Sequence, residues 1–327
     1  MSDGHAPLDF LDYTVPASRR VRAVISSDVA NEADDQFAIA HALLTPKIEV
    51  VAVVSTHYGS VFVSSEAGER ASFDEARVVV DLVGTDVPVV HGSPRALPSE
   101  SEPVESDGAR RIIEEAHKDD PRPLFVLIQG PATDLASALL LDPSIASELT
   151  AIWIGGGSYP RGGREFNVGN DLHAANVLLA SGCELWQVPV DVYSQMSVSL
   201  ATLAHRVARS GELGAFLWQR LRDTSAHLTQ FVSQFPYLAD MHPNAMATVY
   251  PTGEVWHLGD SPVVGLLLSG HEHHYEEIVA PRIAADGTYE SSTASHKIRV
   301  YRRIEAGMIL EDMYAKLALH AEAVASS

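Results

Sequence analysis

The hydrophobic positions of this chain form short continuous runs rather than alternating patterns. Six runs rich in β-branched residues lie at 21–26, 48–56, 87–92, 124–130, 149–157 and 184–193. Strands buried on both faces, as in a parallel sheet, have this pattern, whereas strands with one wet face alternate apolar and polar residues. The six runs therefore predict six parallel strands.

Helical patterns separate most of these runs, with apolar residues recurring every three or four positions. They lie at 34–44, 74–84, 109–118, 132–141 and 171–182. Alternation of strands and helices predicts an α/β fold in which helices flank a doubly wound, mostly parallel sheet. In such sheets ligands bind beyond the carboxyl ends of the strands.

The pattern changes from about residue 197, where long helices are predicted. Pro262 in a first turn indicates another helix opening near Asp260, residues 275–301 resemble a β-hairpin region, and a last helix covers 308–323. The C-terminal half is thus predicted to be mainly helical. Because the sequence has no internal repeat or convincing linker, we expect an N-terminal lead of residues 1–20 and a single domain over 21–327.

Composition narrows the function classes. The chain has 23 Lys and Arg against 43 Asp and Glu, a net charge of −20, which disfavours nucleic acid as a partner. No apolar run approaches ~18 residues, so no membrane span is expected. The first twenty residues lack the pattern of a secretory signal. The single cysteine, Cys183, excludes an intramolecular disulfide and fits a reducing compartment, so a cytoplasmic location is expected.

The junction after the first predicted strand is unusually acidic. The segment SSDVANEADD places Asp28, Glu32, Asp34 and Asp35 within eight residues. Helix capping explains one or two of them, and capping combined with solvated acids remains an alternative. Two carboxylates ~5 Å apart repel by roughly 3 kcal/mol at an effective dielectric of ~20. Such a cluster indicates a bound cation, and hard oxygen ligands favour Ca²⁺ or Mg²⁺.

Four segments in this order resemble the nucleoside hydrolases of the inosine–uridine-preferring type. They are SSDVANEADDQFAIAHAL (26–43), IQGPATDLASAL (128–139), GGGSYPRGGREFNVGNDLHAANVLL (155–179) and HLGDSPVVGLLL (257–268). The resemblance runs from about residue 20 to 318. It implies hydrolysis of the N-glycosidic bond of ribonucleosides to free base and ribose, by a water that one Ca²⁺ activates. It also implies a small-molecule substrate and a homo-oligomer.

The resemblance assigns roles residue by residue. It implies that the metal ligands are Asp28, Asp35, the backbone carbonyl of Thr133 and Asp260. Asp28 would also be the general base, and the ribose hydroxyls would be bound by Asp34, Glu165, Asn167 and Asp260. A nest of carboxylates suits the positive charge that develops on the sugar when such a bond breaks.

The acidic loop departs from the family pattern. The family reads Asp-Thr-Asp-Pro-Gly-x-Asp-Asp, whereas Asp28 and Asp34 are six positions apart here. Either the loop carries a two-residue insertion and Asp28 is the base, or the loop is ungapped and Ala30 occupies the position of the base. We favour the insertion because Ser27-Asp28 matches Thr-Asp at the strand end. Asn31 is then a candidate contact for the sugar.

Two further positions differ from the family. STHYGS replaces the usual Gly-Asn after the second strand, so His57 or Ser60 is the candidate ribose contact there. Gly259 stands where purine-cleaving members often carry His, which leaves His257 and His242 as candidate acids for the leaving base. Two other functions stay open: hydrolysis of another ribosyl or glycosyl compound at the same site, and an inactive sugar- or nucleoside-binding protein, which the ungapped loop would favour.

Overall fold

The structure, a computed structural model, describes residues 11–59, 63–234, 254–269 and 273–326, with only the helical backbone over 227–234. Its strands are β1 (Val21–Ser27), β2 (Ile48–Ser55), β3 (Val89–His91), β4 (Leu124–Gln129), β5 (Leu149–Ile154), β6 (Glu184–Val188), β7 (Ser197–Ser199), β8 (Val255–His257), β9 (His274–Val279), β10 (Arg282–Ile283), β11 (Tyr289–Glu290) and β12 (Lys297–Arg303).

Eight strands form the central sheet, in the order β3-β2-β1-β4-β5-β6-β12-β9. Neighbours pair in parallel from β3 to β12, and only β9 at the edge is antiparallel. The six predicted parallel strands are confirmed. The strand order reverses between β1 and β4, where the connections diverge and leave a crevice at the carboxyl ends of the strands.

Helices cover both faces of the sheet, so the predicted α/β, doubly wound class is confirmed. The helices are α1 (Asp35–Leu43), α2 (Ser65–Val83), α3 (Asp107–Ala116), α4 (Thr133–Leu141), α5 (Phe166–Asn170), α6 (Leu172–Ala180), α7 (Val190–Tyr193), α8 (Leu200–Arg206), α9 (Gly211–Gln234), α10 (Pro262–Leu268) and α11 (Ala306–Ser326).

The core is divided by the sheet into two hydrophobic clusters. Ile25 of β1 packs in one cluster with Phe37 of α1, and its neighbour Val24 packs in the other with Trp153 of β5. Successive side chains of a strand point to opposite faces, so a strand in the middle of the sheet must be apolar at every position. This explains the continuous apolar runs in the sequence.

The C-terminal region follows the prediction with one difference. Ser197–Ser199 is a short strand paired with β8 rather than the start of a helix. Ser199 caps α8, since its side chain accepts a hydrogen bond from the backbone of Thr202, and this holds the helix start at Leu200. None of the described helices combines the length and apolarity that crossing a bilayer requires. The single-domain assignment remains a prediction.

Candidate active site

A cavity of about 60 Å³ lies at the carboxyl ends of β1, β4 and β5. Its lining consists of the acidic loop after β1, the strand-end residues Gln129 and Ile154, the segment 164–167, Val190 and Tyr193 of α7, and the pair Gly259 and Asp260 before α10. Residues more than 200 positions apart in the sequence thus meet at the switch point of the sheet. An open groove of about 510 Å³ adjoins the cavity and shares residues 164–166 with it.

Three carboxylates of this cavity form a close group. One ligand atom from each of Asp34, Asp35 and Asp260 lies within 4.8 Å of the others, and all three residues are buried. Ser27 donates a hydrogen bond of 2.6 Å to Asp35. Burial raises the pKa of Asp35 and of Asp260 well above the usual range, and the charge of Asp34 raises both further. Such a group must hold either protons or a cation.

Asp28 lies beside this group, and one of its carboxylate oxygens accepts no hydrogen bond from the described residues. It follows β1 and is 2% exposed. Its Oδ1 lies over Gly130, where an added Cβ would come within 2.8 Å of it. Its Oδ2 is buried and has no hydrogen-bond partner among the described residues. Burial and then the charges of Asp35 and Glu32 raise the pKa of Asp28 well above its usual range. A buried oxygen in this state is suited to a cation or a proton.

Asp34 differs from Asp28 because backbone N–H groups favour its charged form. Burial raises the pKa of Asp34 to about 6, and the nearby backbone N–H groups of Asp260, Asp35 and Gly259 act in the opposite direction. A Cβ on Gly259 would come within 3.2 Å of Asp34 Oδ2, so the start of α1 and the loop before α10 meet at this carboxylate.

Glu165 is fixed by four hydrogen bonds on the other side of the cavity. It caps the short helix α5, accepting from the backbone of Asn167 at 3.1 Å and of Val168 at 3.0 Å. It also accepts from the backbone of Gly156 at 3.0 Å and from the Tyr193 hydroxyl at 3.1 Å. Burial raises the pKa of Glu165, and these donors partly offset the effect. The structure thus holds its carboxylate in one orientation.

Two amides predicted as sugar contacts, Asn31 and Asn167, line the same cavity. Asn167 donates from Nδ2 to the carbonyl of Ile154 at 2.9 Å, which orients the side chain and leaves its Oδ1 available as an acceptor. Asn31 belongs to the longer acidic loop, and its backbone N–H bonds the carbonyl of Asp28 at 2.8 Å. The structure therefore brings together, at one cavity, seven of the predicted residues: Asp28, Asn31, Asp34, Asp35, Glu165, Asn167 and Asp260.

His57 and Thr133 lie deeper than the cavity wall and bond each other. The Thr133 hydroxyl donates to Asp171 Oδ2 at 2.7 Å. Its oxygen can therefore accept from His57 Nε2, which is 3.0 Å away. Burial lowers the pKa of His57 to about 4, so this imidazole is neutral at physiological pH. The sugar contact of His57 and the metal contact of the Thr133 carbonyl remain predictions.

The candidate leaving-group acids are not part of the described cavity. His257 is the last residue of β8, half-buried and opposite Ser197. His242 lies outside the described residues, and both histidine roles remain predictions.

The surroundings of position 259 favour glycine. A Cβ there would come within 3.1 Å of the Tyr193 ring and 3.2 Å of Asp34 Oδ2. A larger residue at that position would displace both side chains.

Sequence reasoning missed two residues of the cavity. Gln129 ends the otherwise apolar strand LFVLIQ, and a polar residue at the carboxyl end of a buried strand was a signal that could have identified it. Tyr193 reaches the cavity from α7, and nothing in its local sequence indicates this. Its position depends on how α7 folds back over the sheet edge.

The sequence matches the family described as inosine-uridine preferring nucleoside hydrolase over residues 23–323. A "Probable uridine nucleosidase 2" of Arabidopsis thaliana is 25% identical over 252 residues, covering 68% of this chain and 75% of that protein. A "Pyrimidine-specific ribonucleoside hydrolase" of Salmonella arizonae is 23% identical over 195 residues, covering 52% of this chain and 61% of its own length.

Solved structures show the same fold. A "Purine-Preferring Ribonucleoside Hydrolase" from Gardnerella vaginalis superposes with a TM-score of 0.69 at 18% identity, covering 92% of this chain and 99% of that one. A plant nucleoside hydrolase has a TM-score of 0.67 at 16% identity, covering 91% and 99%. With the match over residues 23–323, these findings establish that the chain belongs to the inosine-uridine preferring nucleoside hydrolase family and is an N-glycosidase.

Proposed function

We propose that this enzyme hydrolyses ribonucleosides to free base and ribose with a Ca²⁺ ion held by the acidic group. Family membership supports the reaction. The observation that supports the metal is the close approach of the buried carboxylates of Asp34, Asp35 and Asp260, next to the unpartnered Oδ2 of Asp28. Without a counter-charge these groups would have to stay protonated at neutral pH.

The chemistry of the donor set fits calcium. The predicted ligands are the carboxylates of Asp28, Asp35 and Asp260 together with the carbonyl of Thr133, all of them hard oxygens. Among the described residues this metal-binding group contains neither histidine nor cysteine, which argues against zinc. Ca²⁺ takes six to eight oxygens, so water and sugar hydroxyls would complete the set. Nearby backbone N–H groups favour the charged form of Asp34, which supports leaving it to the ribose.

The protein residues have separable tasks in this reaction. When bound, the cation would orient the attacking water and lower its pKa. Asp28 Oδ2 accepts no hydrogen bond from the described residues, so it is free to take the proton from that water. The water oxygen bonds to the anomeric carbon while the carbon–nitrogen bond breaks. The electron pair of the broken bond leaves with the base, which takes up a proton to become the free base. The carboxylates of Asp34 and Glu165 stabilise the positive charge on the sugar.

Product analysis tests this function. The enzyme is incubated with uridine, cytidine, inosine and adenosine in phosphate-free buffer containing CaCl₂, and free base and reducing sugar are quantified. We expect equimolar base and ribose from at least one nucleoside, and loss of the activity in Asp260→Ala. Absence of free base from all four, or full activity of Asp260→Ala, would contradict the proposal.

A second candidate is hydrolysis of another ribosyl or glycosyl compound. Glu32, which belongs to the lengthened loop, lines the cavity, and Arg164 lines both the cavity and the adjoining groove. These charged groups are placed to contact parts of a substrate other than the ribose. Calcium binding by an enzyme that cleaves none of the four nucleosides would favour this alternative.

A further inference from the structure

Gln129 is a buried residue in the lining of the cavity. It is the last residue of β4, the strand between β1 and β5. It pairs with Ser27 in the sheet, and the next residue, Gly130, contacts Asp28. The side chain of Gln129 is 1% exposed and lines the cavity. It therefore lies between the acidic group and the pair Glu165 and Asn167.

The carboxamide of Gln129 has no partner within the described part of the protein. Both Nε2 and Oε1 are buried and make no hydrogen bond there. A buried polar group without a partner destabilises the fold, and this side chain has two such groups. A leucine or methionine would fill the space without that cost. The amide is thus unfavourable for the fold and suited to a ligand.

Gln187 shows how a structural glutamine is accommodated in the same sheet. It lies in β6 and is 0% exposed. Its Nε2 is 3.0 Å from the carbonyl of Gly155 and 3.0 Å from the Tyr289 hydroxyl, and its Oε1 accepts from Tyr159 at 2.9 Å. Every polar atom of this side chain has a partner. Burial in this sheet therefore does not by itself explain why the amide of Gln129 has no hydrogen-bond partners.

We propose that Gln129 is a substrate-binding residue whose carboxamide pairs with a hydroxyl group of the sugar. The inference rests on the proposed function and adds to it a contact that determines sugar specificity. A hydroxyl is both donor and acceptor, and the amide offers one N–H donor and one carbonyl acceptor within the cavity. A substrate lacking that hydroxyl would leave the buried amide unpaired, which is the arrangement that discriminates most strongly between sugars.

Stability provides the first test, with Gln129→Met and Gln187→Met as matched variants. We expect Gln129→Met to keep or raise the thermal midpoint of the ligand-free enzyme, because no hydrogen bond is lost. Gln187→Met should lower it, because the partners of Gln187 are left unpaired. A fall in Gln129→Met as large as that in Gln187→Met would show a structural role and overturn the inference.

Sugar specificity provides the second test. The kcat/KM of wild type and of Gln129→Met is measured on the best ribonucleoside and on its 2′-, 3′- and 5′-deoxy forms. We expect Gln129→Met to lower kcat/KM on the ribonucleoside by about 10- to 100-fold, the range of a lost buried pairing. One deoxy form, lacking the contacted hydroxyl, should change less than about threefold, because a pairing it never made cannot be lost. An equal loss on all four substrates, or none, would overturn the inference.

Binding of free ribose separates this inference from the proposed function. Ribose should raise the thermal midpoint of wild type in CaCl₂ buffer and raise that of Gln129→Met markedly less. This readout requires no turnover, so it holds even if wild type cleaves no nucleoside and the proposed function fails. Equal shifts in the two proteins, including no shift in either, would mean that the amide holds only water and would overturn the inference.

Discussion

Single residues of the cavity divide into those whose polar atoms are already bonded and those whose polar atoms are not. Glu165 has four donors, so its carboxylate is fixed before any substrate arrives. Asp28 Oδ2 and both polar atoms of Gln129 are unpartnered among the described residues. The carboxylate of Glu165 therefore does not have to reorient when substrate binds. The unpaired atoms of Asp28 and Gln129 gain partners only when a ligand fills the cavity.

Asp28→Asn tests the assignment of the general base. The change keeps the shape of the side chain but removes its charge and its ability to take a proton. We expect kcat/KM for base release to fall by about 10²–10⁴-fold. The thermal midpoint in EDTA should stay constant or rise, because one of several mutually repelling carboxylates is removed.

Asp107→Asn is the control for this substitution. Asp107 is exposed in the first turn of α3 and pairs with Arg110 at 3.0 Å, far in sequence from the residues of the cavity. The Asp107→Asn substitution should leave kcat/KM unchanged. Wild-type activity in Asp28→Asn would contradict the assignment of Asp28 as the general base.

Local motifs explain which site residues could be predicted from the sequence. Asp28, Asp34 and Asp35 lie in one acidic segment, and Glu165 and Asn167 lie in another short motif. Gln129 had only its place at the end of an apolar strand as a signal, and Tyr193 had none, because their function depends on the cavity that the sheet order creates. The neighbours of His57 were also unpredictable, since its bond to Thr133 spans 76 positions.

Secondary-structure elements were predictable where their signal is strong and local. Buried strands such as β4 are apolar at every position before the last, and this pattern identifies them without tertiary information. The three-residue strand β7 was missed because it exists only through pairing with β8. The five-residue helix α5 has no useful periodicity, and its start depends on the capping carboxylate of Glu165.

Helix α1, which supplies Asp35, is held against α11 by a buried polar network. His41 of α1 is 0% exposed, and its Nε2 lies 2.6 Å from Asp312 Oδ2. Lys316 bonds the same carboxylate and also the Thr45 hydroxyl at 3.0 Å. Burial lowers the pKa of His41, although the hydrogen bond that its ring donates to Asp312 opposes this. The imidazole is therefore neutral in the folded protein over a range where the unfolded chain binds a proton.

This network predicts a loss of stability in mild acid. Below about pH 6.5, the ordinary pKa of histidine, the unfolded state takes up a proton that folded His41 resists. The free energy of unfolding then falls by at most about 1.4 kcal/mol per pH unit for this group. Comparing the urea unfolding of wild type with that of His41→Gln at pH 7.5 and pH 5.5 isolates the effect. The stability of wild type relative to the variant should fall between pH 7.5 and pH 5.5, whereas an unchanged difference would show that His41 does not contribute.

The whole molecule places its functional charges where the sheet order reverses. β1 and β4 are neighbours whose connections run in opposite directions, and acids from both ends of the chain meet beyond their carboxyl ends. The net charge of −20 increases the electrostatic cost of this arrangement and favours binding of a divalent cation. The expected homo-oligomer and cytoplasmic location remain predictions from the sequence.

Metal removal and restoration test the central claim most directly. The enzyme is dialysed against EDTA, and base release and thermal midpoint are recorded while CaCl₂ is added back, with MgCl₂ in parallel. Binding at 100 times Kd stabilises a folded protein by about 2.7 kcal/mol, which corresponds to a rise of roughly 4 °C in the midpoint of a chain of 327 residues. We predict that EDTA abolishes base release and that Ca²⁺ restores it together with this rise. Full activity in EDTA, with no shift of the midpoint on adding Ca²⁺, would contradict the account.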